Sequence, residues 1–235
     1  MSRQGRDVNL SGASASDGNA RTPLRGYLAI PASGSGPGVL VLQEWWGLVD
    51  HIRDVCDRLA REGFVALAPD LYRGESAGDP GAAGRLMMDL DLERAGDDLA
   101  AAAASLLGQD ATTGARLGCI GFCMGGQLAL FAATRNARIG AVVDCYGIHP
   151  NVTLDLSGMR AAVLGVFAEH DEFVPPSVAD ALEAQLRDAG VRVNFKVHVG
   201  VGHAFLNESR KDAYDASSAR AAWNDILSFL RAELA

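Results

Sequence analysis

The sequence predicts an α/β fold with a mostly parallel central sheet and helices on both faces. Three observations predict it. Short, wholly apolar runs recur along the chain, as strands buried on both faces of a sheet require. Stretches of helical period separate them. Glycine and proline mark the junctions, so strand and helix alternate and crossover connections follow. A chain of 235 residues with 49% hydrophobic residues and 27 glycines can bury a sizeable core and make many turns.

Residues 1–21 are polar, rich in Ser, Gly and Asp, and without periodicity. A loose or partly ordered arm is expected there, followed by a single domain over 22–235. Leu24–Pro31 alternates and reads as an early strand, and 33–38 as a turn. Gly38–Gln43 is an apolar strand. A helix follows near Asp50–Glu62, ended by Gly63. Phe64–Ala68 is another buried strand, leading into the loop Pro69-Asp-Leu-Tyr-Arg-Gly. Residues 75–84, rich in Gly, Pro and Ala, read as a surface excursion. One long helix is expected from Arg85 to Leu107. Arg116–Ile120 reads as a strand, Met124–Thr134 as a helix, and Ile139–Tyr146 and Ala161–Ala168 as strands. Pro175–Ala189 opens on proline and closes before Gly190, the marks of a helix. Val191–Val199 alternates as a strand. From Ala213 to the end, Ala222, Ile226, Phe229 and Leu230 recur at helical spacing.

The formal charge of −8, without basic clusters, argues against nucleic acid or an anionic membrane as a partner. No apolar run approaches the roughly 18 residues a membrane span needs. The first residues lack the apolar core of a signal peptide, so a cytoplasmic location is expected. The cysteines at 56, 119, 123 and 145 have neither C-x-x-C nor zinc-type spacing. Cys56, Cys119 and Cys145 sit in apolar patterns and read as small core residues. No nucleotide motif or metal-ligand cluster is present, so neither metal nor cofactor is expected.

Cys123 differs. It stands in Gly121-Phe-Cys-Met-Gly125, between a strand and a helix, with glycines on both sides. That is the layout of a nucleophile elbow, with cysteine where G-x-S-x-G has serine. Alone, a cysteine is more often a small buried hydrophobe; the flanking pattern favours a nucleophile. Asp171 lies just past the strand 161–168, and His203 just past the strand 191–199. The chain order nucleophile, acid, histidine is that of α/β-hydrolase triads. Each has a plainer alternative: Asp171 a helix cap, His203 a loop residue bonded to a carbonyl.

The chemistry would divide as follows. A thiol of pKa near 8.5 is only a few per cent ionised at pH 7. His203 takes or shares its proton, and the start of the following helix favours the thiolate. Asp171 holds the imidazole tautomer. The backbone N–H groups of Met124 and Trp45 form the oxyanion hole. Glu44, at the end of the strand 38–43, would hold the thiol proton in the resting enzyme or orient substrate; otherwise it caps the next turn. One of Trp45 and Trp46 is expected to face substrate and the other to be core. His51, His149, His170 and His198 read as structural.

These residues resemble the dienelactone hydrolases (carboxymethylenebutenolidases), a branch of the α/β-hydrolases, from about residue 24 to the end. The marks are Gln43-Glu-Trp-Trp-Gly, Ala68-Pro-Asp-Leu-Tyr-Arg-Gly, Gly121-Phe-Cys-Met-Gly-Gly, His170-Asp-Glu-Phe-Val-Pro and Gly202-His-Ala-Phe. The resemblance implies the α/β-hydrolase fold, a Cys123–His203–Asp171 triad and a Glu44 that pairs with Cys123 until substrate displaces it. It also implies hydrolysis of an ester or lactone through a thiol-ester acyl-enzyme. Family members that open dienelactone grip its carboxylate with two arginines. The first of those positions is Asn207 here, and only Arg73 or Arg85 lies near the second, so the clamp is altered. Trp46, Tyr72, Met87 and Phe205 complete the candidate substrate contacts. A monomer or homodimer acting on a small-molecule ester or lactone is expected. Two alternatives stand beside it: a thioesterase or other acyl-transfer enzyme on the same fold, and a catalytically silent binding protein.

Overall fold

Eight strands and six helices make up the residues described by this computed structural model, 4–10 and 23–235. The fold class is α/β, as predicted. The contacts divide the chain into two compact units, Met1–Leu117 and Gly118–Ala235.

The first unit carries β1 (Arg6–Asn9), β2 (Arg25–Ala29), β3 (Gly36–Leu42), α1 (Asp50–Arg61), β4 (Val65–Pro69), α2 (Pro80–Met88) and α3 (Leu92–Leu107). Its strands lie in the order β1-β2-β4-β3. β3 and β4 are parallel, whereas β2 is antiparallel to both β4 and β1. Val39, Leu40, Val41 and Leu42 are fully buried, which is why this strand shows no polar alternation. Helices α1 and α3 pack on β3 and β4. Ile52, Val55, Cys56 and Leu59 form the buried stripe of α1, and Gly63 follows that helix at φ +96°.

Two departures from the sequence reading fall here. Residues 6–9, inside the expected arm, form β1, whose start is tied down: the Gly5 N–H donates to the Tyr27 hydroxyl at 2.9 Å, and that hydroxyl donates to Asp57 at 2.9 Å. The remainder of that arm, residues 1–3 and 11–21, lies outside the described residues. The expected surface excursion and single long helix are corrected to two helices. Asp79 accepts the Ala82 N–H at 2.9 Å with Pro80 in the first turn, so helix begins before Arg85. Asp91, at ψ 107°, accepts the Arg94 N–H at 3.1 Å. A second N-cap inside the apolar pattern ends α2 and restarts the chain as α3.

β5 (Thr112–Phe122) runs through the division and is longer than predicted. The second unit continues with α4 (Met124–Arg135), β6 (Ile139–Cys145), β7 (Ala162–Ala168), α5 (Pro176–Asp188), β8 (Val193–His198) and α6 (Ala216–Leu234). β6, β7 and β8 are successive parallel neighbours. β6 and β7 are buried along their whole length, whereas β8 is partly exposed. α4 packs on β6, α5 on β7 and β8, and α6 on β6 and β7. Ala222, Ile226 and Leu230 face the core as predicted, with Phe229 on the flank. Cys119 and Cys145, like Cys56, are fully buried, and no cysteine is in a disulfide. Burial pushes the thiols of Cys56 and Cys119 far up, out of reach of ionisation at neutral pH. Among the described residues no helix is long and apolar enough to cross a membrane.

Candidate active site

The second unit places a cysteine at the turn from β5 into α4. Cys123 sits between β5 and α4 at φ 52° and ψ −123°, a conformation non-glycine residues rarely adopt. Three hydrogen bonds hold it there. Its N–H donates to the Cys145 carbonyl at 3.0 Å, and its own carbonyl accepts from Gly126 at 2.9 Å and Ile148 at 3.2 Å. A Cβ on Gly121 would lie 1.8 Å from the Gly125 carbonyl oxygen, so only glycine lets α4 return that close to the strand. The elbow pattern is thus a packing requirement. The Cys123 side chain is 7% exposed, at the start of a helix of 12 residues whose dipole favours an anion.

Asp171 and His203 are brought together, as predicted. His203 Nδ1 and Asp171 Oδ2 are 2.8 Å apart. The carboxylate is fully buried, and its other oxygen accepts the N–H groups of Phe173 and Val174, both at 2.9 Å. Asp171 caps its own loop with one oxygen, not the helix α5, whose N-cap is Pro175, and meets the imidazole with the other. With the carboxylate as acceptor, Nδ1 carries the proton and Nε2 of a neutral ring is left basic. Ala204 at φ 64° and Gly200 at φ 76° bracket His203 in its loop.

Two residues the sequence reading passed over surround this imidazole. Tyr146, read as a strand end, turns at φ 43° and packs against His203 with the rings tilted 58° and their centroids 4.9 Å apart. Phe173, 55% exposed, meets the same ring edge-on at 5.0 Å. The signal was an aromatic after each strand end, too common to single out. Phe205 is fully buried and packs on Tyr146 and His198, so it supports the site from the core. Asn207 is buried, and its Oδ1 accepts from the Ser209 N–H and hydroxyl, fixing its own turn. His170 is exposed beside Glu169. His149 is buried, and its Nδ1 accepts the Asn151 N–H at 3.2 Å.

Asp144 is a second omission, and here a signal existed: one carboxylate in an otherwise apolar strand. It is fully buried in β6. A Cβ on Gly126 or Gly147 would lie 2.2 or 2.1 Å from its Oδ1, so these glycines leave the space it fills beneath the elbow. Neither oxygen makes a hydrogen bond of ordinary geometry among the described residues. Burial raises its pKa to about 7, opposed by the Gly147 N–H. The unfolded chain gives up this proton above about pH 4 and the folded chain holds it. Stability therefore falls as pH rises from about 4 to about 7 and is level beyond, by an amount on the order of a few kcal/mol. Asp144→Asn abolishes that slope. Urea unfolding at pH 5 and 8 is expected to show the variant gaining on the wild type as pH rises; a constant difference overturns the reading.

The remaining predicted residues belong to the first unit. Glu44 is buried just beyond the end of β3. Trp45 and Trp46 are each half-buried and meet edge-on at 5.2 Å. Tyr72 is buried. Arg73, at φ 57°, turns its guanidinium to Asp98, with contacts of 2.5 and 2.6 Å. Arg85 is exposed on α2 and Met87 half-buried. Among the described residues no group of His, Cys, Asp and Glu could hold a metal ion.

Comparison with known proteins places the chain in a family. The pattern of the dienelactone hydrolase family matches residues 24–234. The chain is 40% identical over 215 residues to Protein usf of Aquifex pyrophilus, covering 88% of this chain and 93% of that one. It is 38% identical over 218 residues to a protein of Aquifex aeolicus provisionally named a carboxymethylenebutenolidase, covering 90% and 94%. A crystal structure from Klebsiella pneumoniae, provisionally assigned as a dienelactone hydrolase, superposes with a TM-score of 0.84 at 27% identity, covering 97% and 98%. The match spans nearly the whole of each partner, so family, fold and chain coincide: this chain belongs to the dienelactone hydrolase family, has the α/β-hydrolase fold and is a hydrolase.

Proposed function

We propose that the protein hydrolyses small carboxylic esters or lactones through a thiol-ester acyl-enzyme on Cys123. The observation that carries this is the buried Asp171 carboxylate 2.8 Å from His203 Nδ1, in the unit whose elbow presents Cys123. Family membership supplies the reaction class; the roles below are our reading.

His203 Nε2 takes the thiol proton as sulfur adds to the ester carbonyl. Asp171 keeps the ring in that tautomer and stabilises the imidazolium. The Met124 N–H, at the first position of α4, stabilises the tetrahedral oxyanion, with the Trp45 N–H as second donor on the sequence pattern alone. Collapse expels the alcohol, which receives the proton from His203, and leaves the acyl group on sulfur. Water then attacks the thiol ester with His203 as base, releasing the acid and restoring the thiol. Glu44 holds the thiol proton in the resting state, a role carried over from the sequence pattern alone.

Substrate contacts differ from those of a dienelactone opener. The side chain of Asn207 is committed to Ser209 and Arg73 to Asp98, which favours uncharged esters and lactones over a carboxylate-bearing one. The test is quenched turnover of p-nitrophenyl acetate followed by peptide mass mapping. An acetyl group on the Cys123 peptide is expected. Turnover with no adduct on that peptide, or with one on a serine elsewhere, would sink the acyl-enzyme assignment.

A further inference from the structure

The proposed reaction gives no role to Asp144, although its carboxyl is fully buried inside β6. A buried carboxyl without hydrogen-bond partners is costly to keep. Two backbone segments meet on it. One is the first turn of α4, where a Cβ on Gly126 would stand 2.2 Å from Asp144 Oδ1. The other is the turn after β6, where a Cβ on Gly147 would stand 2.1 Å from the same oxygen and 2.6 Å from the Gln127 nitrogen. The carboxyl is a wedge around which both glycines are fitted.

Both segments are bonded to Cys123. The N–H groups of Gly126 and Ile148 donate to its carbonyl at 2.9 and 3.2 Å. Its own N–H donates to the carbonyl of Cys145, the residue after Asp144, at 3.0 Å. Tyr146, in the same turn, packs its ring on His203. The elbow is therefore stitched to the two segments that Asp144 holds apart.

The ionisable groups near this wedge are few. β6 adds the Cys145 thiol, and β5 adds Cys119 and, just past its end, Cys123. β7 carries no ionisable residue. α4 carries only Arg135, exposed in its last turn. α6 buries Ala222, Ile226 and Leu230, and its Arg220, Asp225, Arg231 and Glu233 lie off that buried face. The turn after β6 adds Tyr146 and His149. Neither Lys nor Arg is paired with the carboxyl among the described residues. Burial therefore holds its proton up to about pH 7, with only the Gly147 N–H opposing.

We propose, resting on the assignment of Cys123 as nucleophile, that Asp144 is a positioning residue for the reaction: its carboxyl, wedged between Gly126 and Gly147, sets how readily the elbow takes a negative charge. While neutral, it leaves the dipole of α4 to the Cys123 thiolate and then to the oxyanion. Once its proton has gone to solvent, a carboxylate stands against the same helix start. Two anions then share one region of low dielectric, so the thiol pKa rises and the oxyanion loses stabilisation. Asp144 thus restrains the reaction above about pH 7 and releases it below.

The test compares Asp144→Asn, which keeps the shape and removes the ionisation, with Asp144→Ala, which also empties the wedge. Alkylation of Cys123 by iodoacetamide and kcat/KM for p-nitrophenyl acetate are followed from about pH 5.5 to about pH 9. In both assays the ratio of the Asn variant to the wild type is expected to climb roughly fivefold or more across that range. The Ala variant is expected to climb in parallel, with kcat/KM about threefold or more below that of the Asn variant throughout. In the wild type, the 13C carboxyl resonance of Asp144 is expected to titrate near pH 7. A ratio that stays constant with pH in either assay makes Asp144 a packing residue and overturns the proposal. A carboxyl that titrates in the ordinary aspartate range, or stays protonated throughout, overturns it as well, and this readout decides if the variants do not fold. Alkylation needs no turnover. A climbing alkylation ratio beside an absent acyl-enzyme would sink the nucleophile and keep the coupling of Asp144 to Cys123. A constant ratio beside an acetylated Cys123 peptide would overturn Asp144 alone.

Discussion

Cys123→Ala is expected to lower kcat/KM for p-nitrophenyl acetate by about 10^4-fold or more, to the level left by binding and backbone donors alone. No other thiol can replace it. Cys119 and Cys145 are fully buried in neighbouring strands, and burial holds the Cys119 and Cys56 thiols protonated. The loss should come without unfolding, because the variant removes a single sulfur atom and keeps the three backbone hydrogen bonds of residue 123. An unchanged unfolding midpoint beside lost activity separates chemistry from structure. Asp171→Asn is expected to fall between the two enzymes, by roughly 10^2- to 10^4-fold, since it keeps the loop-capping oxygen but offers an amide to His203 in place of a carboxylate. If Cys123→Ala keeps wild-type turnover, the elbow is only a tight turn, and the reading as a silent scaffold revives.

Gly121→Ala is expected to be the most damaging single methyl in the chain. The added carbon would stand 1.8 Å from the Gly125 carbonyl oxygen and 2.1 Å from its carbon. Both are backbone atoms of the first turn of α4, so relief requires moving the helix off the strand rather than turning a side chain. Overpacking a core costs about 1–3 kcal/mol where side chains can shift; here about 3 kcal/mol or more is expected, a large share of a typical domain's stability. Gly34→Ala is the matched control. Gly34 has φ +86° with open space around it, so that substitution meets only backbone strain, about 1 kcal/mol. Urea midpoints of the two variants decide between them. Equal losses would mean that a small shift of α4 relieves the collision at Gly121, and that the closeness of helix to strand does not govern the elbow.

The consequences of these substitutions were legible to different depths. The buried strands announced themselves, because residues such as 39–42 or 162–168 form short apolar runs without interruption, too short for a helix and bounded by turn residues. The elbow was legible because its glycines are demanded by a local collision between residues four apart. The break between α2 and α3 was not, because Asp89-Leu-Asp91 keeps the apolar period running while Asp91 quietly caps a new helix. Nor was β1, four residues whose pairing with β2 is nonlocal and leaves little trace in their own composition.

The sequence by itself determined the class of fold, the turn that presents Cys123 and the order in which Cys123, Asp171 and His203 follow one another past strand ends. Local pattern suffices for these, since each depends on neighbours within a few residues. Tertiary structure alone decided that Asp171 divides its oxygens between its own loop and His203, and that Tyr146 and Phe173 hold the imidazole between them. It also placed the buried carboxyl of Asp144 against Gly126 and Gly147. Those facts depend on residues tens of positions apart meeting at a few ångströms, and hydrogen-bond geometry and burial at that range are set by the packing of strands and helices, not by any stretch of chain read alone.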